Sequence, residues 1–115
     1  MFLSLNHKKF DVYLVASELL IECYCLTTNI PDIERYGLIS QIRRAALSVK
    51  LNIAEGASRK SAVERKRFYE IARGSVIELD AAFEACVHLK YVGIEKLTTV
   101  ESQIKRCFSM LSKMV

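Results

Sequence analysis

Residues 41–56 read QIRRAALSVKLNIAEG, and this stretch decides the fold. Leu38, Ile42, Ala45, Val49 and Ile53 recur at steps of three and four, which places them on one apolar face of an α-helix. Gln41, Arg44, Ser48, Asn52 and Glu55 recur at the same steps and make a second, polar face. A surface helix ordinarily fills its polar face with long Lys and Glu side chains. Ser and Asn are weak helix formers because they compete for backbone hydrogen bonds. A stripe of short hydrogen-bonding groups with one Arg and one Glu is therefore expected to meet particular partners. The expectation is a structural stripe facing a neighbouring helix, with Ser75 and Glu78 as its partners, in preference to a small-ligand site. A satisfied polar set of this kind fixes register.

Working outward, the helix is bounded on both sides. Pro31 cannot donate a backbone bond and biases Ile30 to extended geometry, and Gly37 is the next weak point. The second helix is thus expected over Leu38–Glu55, with Gly56 as its C-terminal cap. Ahead of the break, Lys8–Thr27 is expected to form a first helix. Phe10, Tyr13, Ser17, Leu20, Tyr24 and Thr27 alternate by three and four as a bundle seam does, and Val12, Ala16, Leu19, Cys23 and Leu26 make a second apolar face. Two apolar faces exceed the need of one core, so the spare face is assigned to an oligomer contact.

Ser61-Ala62-Val63-Glu64 has the capping-box pattern, so a third helix should begin at Ala62. Its inward side carries Phe68, Ile71, Ala72, Ser75, Val76, Leu79, Ala82, Phe83, Cys86 and Leu89, and Tyr91–Gly93 ends it. Gly74 in its middle suggests close approach of another backbone. Thr98-Thr99-Val100-Glu101 is a second capping box, and Leu97, Val100, Ile104, Cys107, Leu111 and Met114 form the seam of a fourth helix. Four helices with short connections predict an all-α, antiparallel up-and-down four-helix bundle, a single domain over residues 1–115.

The composition agrees. The 115 residues include one Pro, four Gly and no Trp, with 51% hydrophobic residues. A chain of this length buries roughly 65% of its unfolded surface, enough for one self-sufficient core. Val12–Leu26 is apolar but is interrupted by Glu18 and Glu22 and is too short to span a bilayer.

Net charge is +4 and unevenly placed. Residues 41–75 hold nine basic and three acidic side chains, whereas residues 1–40 are net acidic and residues 76–115 balanced. Such clustering attracts polyanions. Arg43, Lys50, Arg59, Lys60, Arg65, Lys66, Arg67 and Arg73 are the candidate nucleic-acid contacts, expected to touch phosphates and to read little sequence.

No Walker loop, GxGxxG, HExxH or GxSxG occurs, and no His follows a Glu at the spacing that di-iron bundles use. No enzymatic activity, cofactor or metal is expected. Cys23, Cys25, Cys86 and Cys107 include no CxxC pair, and no secretory signal is evident, so they read as reduced, partly buried thiols of a cytoplasmic protein. His7 and His88 read as surface or packing residues.

ERYGLISQIRRAALSVKLNIAEG, followed by RKSAVERKRFYEIARGSVIELDAAFEAC, resembles the bacterial 23S rRNA intervening-sequence proteins. The matching residues include Pro31, Glu34, Arg35, Tyr36, Gly37, Leu38, Gln41, Ile42, Arg43, Arg44, Ala45, Ser48 and Asn52–Gly56, then Arg59, Ser61, Phe68, Ala72, Gly74, Ser75, Glu78 and Leu79. The likeness covers residues 31–92, with minor departures at Lys50–Leu51 and Ala57–Ser58. It implies a four-helix bundle that assembles as a ring-like homopentamer, similar in fold to the accessory protein of diversity-generating retroelements, which associates with nucleic acid and a reverse transcriptase. It implies no catalysis. The expected role is a homo-oligomer binding RNA or DNA. The alternative is a scaffold that recruits a protein partner without touching nucleic acid. Charge placement separates them: basic residues converging on one rim favour nucleic acid, and pairing with Glu64, Glu70 and Glu84 favours the scaffold.

Overall fold

The turn before the third helix shows how local sequence sets the elements. Ser61 is extended and its hydroxyl accepts the backbone N–H of Glu64 at 3.0 Å, which satisfies one of the free donors of the helix start. The computed structural model describes residues 1–115, and the helices are α1 Asp11–Thr27, α2 Leu38–Ala57, α3 Ala62–His88 and α4 Thr98–Ser112, with no strand. Short 3-10 turns occupy Asn6–Lys9, Asp32–Glu34 and Ile94–Leu97.

Several expected details change. α1 begins at Asp11 because Phe10 is extended after the 3-10 turn. The second capping box does not form: Thr98 is already helical, and its hydroxyl donates to the Glu95 carbonyl at 3.4 Å. At the end of α3, Lys90 takes the left-handed conformation (φ 62°). The Tyr91 N–H then reaches the Cys86 carbonyl and the Lys90 N–H the Val87 carbonyl, closing the helix.

The helices pack in cyclic order, α1 on α2, α2 on α3, α3 on α4 and α4 on α1. Contacts along each pair run in opposite senses. Arg44 meets Glu78 while Ser48 meets Ser75, and Gly56 lies against Tyr69, so α2 and α3 are antiparallel. Lys50 stands over Tyr13 and Arg43 over Tyr24, so α1 and α2 are antiparallel as well. The bundle measures 44 × 28 × 23 Å.

The core holds Leu19, Ile42, Val49, Ile53, Val76, Leu79, Val100 and Leu111, all fully buried. Burial of each such side chain contributes about 1.5–3 kcal/mol. On α1 the core face is Val12, Val15, Ala16, Leu19, Cys23 and Leu26. The expected seam of Phe10, Tyr13, Ser17, Leu20, Tyr24 and Thr27 instead lies mostly at the flank of the helix. Of these only Thr27 is buried, and Phe10 and Tyr24 are exposed. Compact side chains permit the closer helix approach, while the aromatics fit better at the flank, where their rings meet cations. On α3, Ile71 and Leu89 point outward and Tyr69 is buried.

The two helical glycines exchange their expected roles. Gly56 does not cap α2 but lies within its last turn, buried. A Cβ there would stand 2.8 Å from Tyr69 Cε1 and 3.0 Å from Phe68 Cβ. Close approach therefore occurs at Gly56. Gly74 is exposed, and a Cβ there would meet nothing within 4 Å.

Candidate nucleic-acid interface

An even number of alternating helices turns the α2–α3 connection, the start of α1 and the end of α4 toward the same half of the bundle, but the α2–α3 hairpin runs on past the other two by roughly 17 Å, the rise from Arg73 back to Ala62. Arg73 of α3 donates through Nε to Ser112 Oγ at 2.8 Å, and Phe10 and Val12 share a surface depression with Lys113 and Met114. Leu5 and His7 lie beside Leu51, Ser58 and Phe68. This half of the bundle therefore holds the candidates from Lys50 to Arg73 together with Lys8, Lys9 and Lys113, against Asp11, Glu55, Glu64 and Glu70, with Lys60, Lys66 and Arg67 at its tip and Lys50, Arg73 and Lys113 nearer its middle. The opposite end holds Asp32, Glu34, Glu84, Glu95 and Glu101 against Arg35, Lys90 and Lys96. Lys8, Lys9 and Lys113 went unnoticed because they lie outside the basic middle third of the sequence. The up-and-down topology was the signal that places them.

Within this set the cations differ sharply. Arg43 lies 4.5 Å from the Tyr24 ring centroid and donates to Thr27 Oγ1 at 2.9 Å, toward the middle and far part of α1. Lys50 stands 5.3 Å from the Tyr13 ring centre. Arg59 stacks 4.9 Å from Phe68 and lies 3.2 Å from the Glu55 carboxylate. Arg73 lies 4.5 Å from Phe108. Arg65 donates through Nη1 to the carbonyls of Arg59 (3.1 Å) and Lys60 (2.7 Å), so it clamps the α2–α3 turn. These five are committed to their own bundle, although a stacked guanidinium still presents donors at its edge.

Lys60, Lys66 and Arg67 differ from them. All three are exposed, and none has an ion pair, a side-chain hydrogen bond or a ring beneath it. None of the candidate cations pairs with Glu64, Glu70 or Glu84.

The polar stripe of α2 faces α3 along part of its length. Arg44 pairs with Glu78 and donates to Gln41 Oε1 at 3.1 Å. Both members of that pair are solvent-accessible, so its contribution is small. Ser75 is buried and donates to Ser48 Oγ at 2.9 Å, and Asn52 Nδ2 donates to the same oxygen at 3.0 Å and to the Ser48 carbonyl at 2.9 Å. Asn52 thus reaches its own helix only, and Glu55 turns to Arg59.

No group of three or more His, Cys, Asp or Glu side chains is placed to hold a metal ion. Cys25 is exposed, while Cys23, Cys86 and Cys107 are buried. Burial pushes the Cys23 and Cys107 thiols up to about 12 and raises Cys86. His7 is buried edge-on against Tyr13, with ring centroids 4.8 Å apart, and desolvation followed by the nearby Lys8 lowers its pKa. No helix is long and apolar enough to cross a membrane.

The fold and site define a class: a small four-helix bundle with an excess of basic groups in the half that holds the α2–α3 turn, partly braced on aromatic rings. The chain belongs to the 23S rRNA-intervening sequence protein family, whose model matches residues 8–113. No curated protein matches it significantly.

Proposed function

We propose that this family member is a non-enzymatic homo-oligomer, a pentameric ring in the cytoplasm, that binds RNA or DNA through phosphates with little dependence on sequence. The observation that carries the proposal is that Lys60, Lys66 and Arg67 are exposed and unpaired at the tip of the α2–α3 hairpin, with Lys8, Lys9 and Lys113 in the same half of the bundle. In a ring of parallel copies these groups recur around one rim. Adjacent copies of a weak site gain avidity on a long strand without any new contact. Oligomerisation is supported by the apolar residues left exposed on α1, Leu14 and Ile21, beside Cys25.

The three unpaired cations are the primary contacts, and the braced Arg59 and Arg73 are secondary ones. Arg43 and Arg65 serve the fold. Fluorescence anisotropy with labelled single- and double-stranded RNA and DNA at low salt tests this reading. Affinity should rise with oligonucleotide length and fall steeply with salt. Lys60→Glu, Lys66→Glu and Arg67→Glu together should abolish binding while helicity and oligomer mass persist. No binding at tens of micromolar protein, or binding indifferent to these reversals, would favour the scaffold reading. The bracing of four cations on the bundle's own aromatics is the observation on that side.

A further inference from the structure

The turn between α1 and α2 exposes two large apolar side chains on a rigid support. Ile33 is 88% and Tyr36 89% exposed, with Arg35 between them free of any ion pair. The support is Glu34. Its Oε1 accepts the Leu38 N–H at 3.2 Å and its Oε2 accepts the Tyr91 hydroxyl at 3.0 Å. Tyr91 is itself aimed by the left-handed residue Lys90. One carboxylate thus ties the turn to the start of α2 and to the end of α3. A surface held in one conformation loses little entropy on docking. Tyr and Arg are also the residue types that most often anchor interfaces.

At the same end, the α3–α4 side carries a groove of about 380 Å³. Phe83, Val87, Ile94, Leu97 and Ile104 supply its apolar lining. Asp80, Glu84 and Glu101 stand at its edge with His88 and Lys105. Lys105 pairs with Glu101 at 3.2 Å, which leaves Asp80 and Glu84 without an ion partner.

The turn belongs to the α1–α2 edge of the bundle and the groove to the α3–α4 edge. Since the helices pack in cyclic order, these edges lie on opposite sides of the bundle, both toward the end that carries the α1–α2 and α3–α4 connections. Two different, complementary patches on opposite sides of one subunit are what a head-to-tail ring requires. We propose that the Asp32–Tyr36 turn of one copy seats in the α3–α4 groove of the next, with Ile33 and Tyr36 on the apolar floor and Arg35 against Asp80 and Glu84. Both surfaces are mixed in sign, since Asp32 accompanies Arg35 and the groove carries His88 and Lys105. The inference deepens the oligomeric part of the proposed function and rests on it, but it is independent of nucleic-acid binding.

The test uses two variants of the full chain. The turn variant is Ile33→Asp with Tyr36→Asp. The groove variant is Glu84→Lys with Ile94→Asp. All four positions are exposed, so helicity by circular dichroism should match the parent and serves as the folding control. The readout is mass by light scattering coupled to size exclusion. The parent should be oligomeric and each variant should run at the 13.1 kDa of one chain. Mixed in equal amounts, the two variants should form a species of two chains and no larger. Each then retains one good face: the turn variant offers its groove and the groove variant its turn. A parent of one-chain mass overturns the oligomer and this interface together. An oligomeric parent whose mass survives either variant overturns the interface alone. So does a mixture that stays monomeric.

Discussion

The two helical glycines make a matched test of how α2 and α3 are joined. In both positions Gly→Ala gains about 1 kcal/mol of helix propensity. Gly74→Ala meets nothing within 4 Å, so that gain should be realised in full. For a domain of this size it corresponds to a rise of roughly 3–6 °C in Tm. Gly56→Ala places its methyl 2.8 Å from Tyr69 Cε1, 3.0 Å from Phe68 Cβ and 3.1 Å from Tyr69 Cδ1. Tyr69 is buried and Phe68 Cβ is fixed to the α3 backbone, so neither yields cheaply. Overpacking of this kind costs about 1–3 kcal/mol. After the propensity gain, the net result should range from no change to a loss of about 2 kcal/mol. The two variants should therefore differ by about 1–3 kcal/mol in unfolding free energy. Urea denaturation followed by circular dichroism, at one protein concentration and with oligomer mass checked, measures the difference. Equal stabilisation by both substitutions would refute the close α2–α3 approach at Gly56.

Asn52→Leu removes two hydrogen bonds to Ser48 but leaves the Ser75–Ser48 bond, so thermal melting should show a loss of about 1 kcal/mol. Arg73→Ala removes both the Phe108 stacking and the Ser112 bond. It should cost about 1–2 kcal/mol and deprotect the last turn of α4 in hydrogen exchange. A thiol reagent should modify Cys25 alone in the native protein, and Cys25→Ser should leave no fast phase until denaturant exposes Cys23, Cys86 and Cys107. His7 is held below its ordinary 6.5 in the fold, so its contribution is fully present above 6.5 and is lost as pH falls from there through the lowered folded-state value. Backbone NMR of residues 1–10 should show the segment loosening on acidification, and His7→Phe should remove the effect.

Most of the architecture was legible because α2, α3 and α4 have one dominant apolar stripe each. Ile42, Ala45, Val49 and Ile53 are all buried, as their spacing requires, and so are Leu97, Val100, Ile104, Cys107 and Leu111. The first helix was harder. Both of its sets alternate by three and four, so periodicity alone does not choose between them, although the compact set is the more uniformly apolar. Packing chose the compact set. The polar stripe was legible to the level of partner residues for Arg44 and Ser48, because their neighbours on α3 follow from the antiparallel register. The division of the cations was not legible. Whether Lys50 or Arg73 lies on a ring depends on Tyr13 and Phe108, residues 37 and 35 positions away in the chain. Nor could sequence reveal that Lys90 would twist α3 to a close ahead of Gly93, since an unfavourable left-handed residue carries no local signature.

In the proposed ring, the uneven charge along the bundle would couple assembly to the solvent. In a ring of parallel subunits every basic end stands beside its like, so the members repel one another most strongly in dilute salt. Added salt screens that repulsion within about a Debye length and should tighten the ring wherever this outweighs the screened contact of Arg35 with Asp80 and Glu84. The same salt loosens a polyanion held by phosphate contacts. The two equilibria therefore respond to ionic strength in opposite directions. A nucleic-acid strand lying across neighbouring basic ends would supply the missing counter-charge itself. By linkage, the strand should then raise the population of the ring by the same factor by which the ring raises affinity for the strand. At low ionic strength the ligand would act as a structural part of the assembly, holding together subunits whose own charges drive them apart.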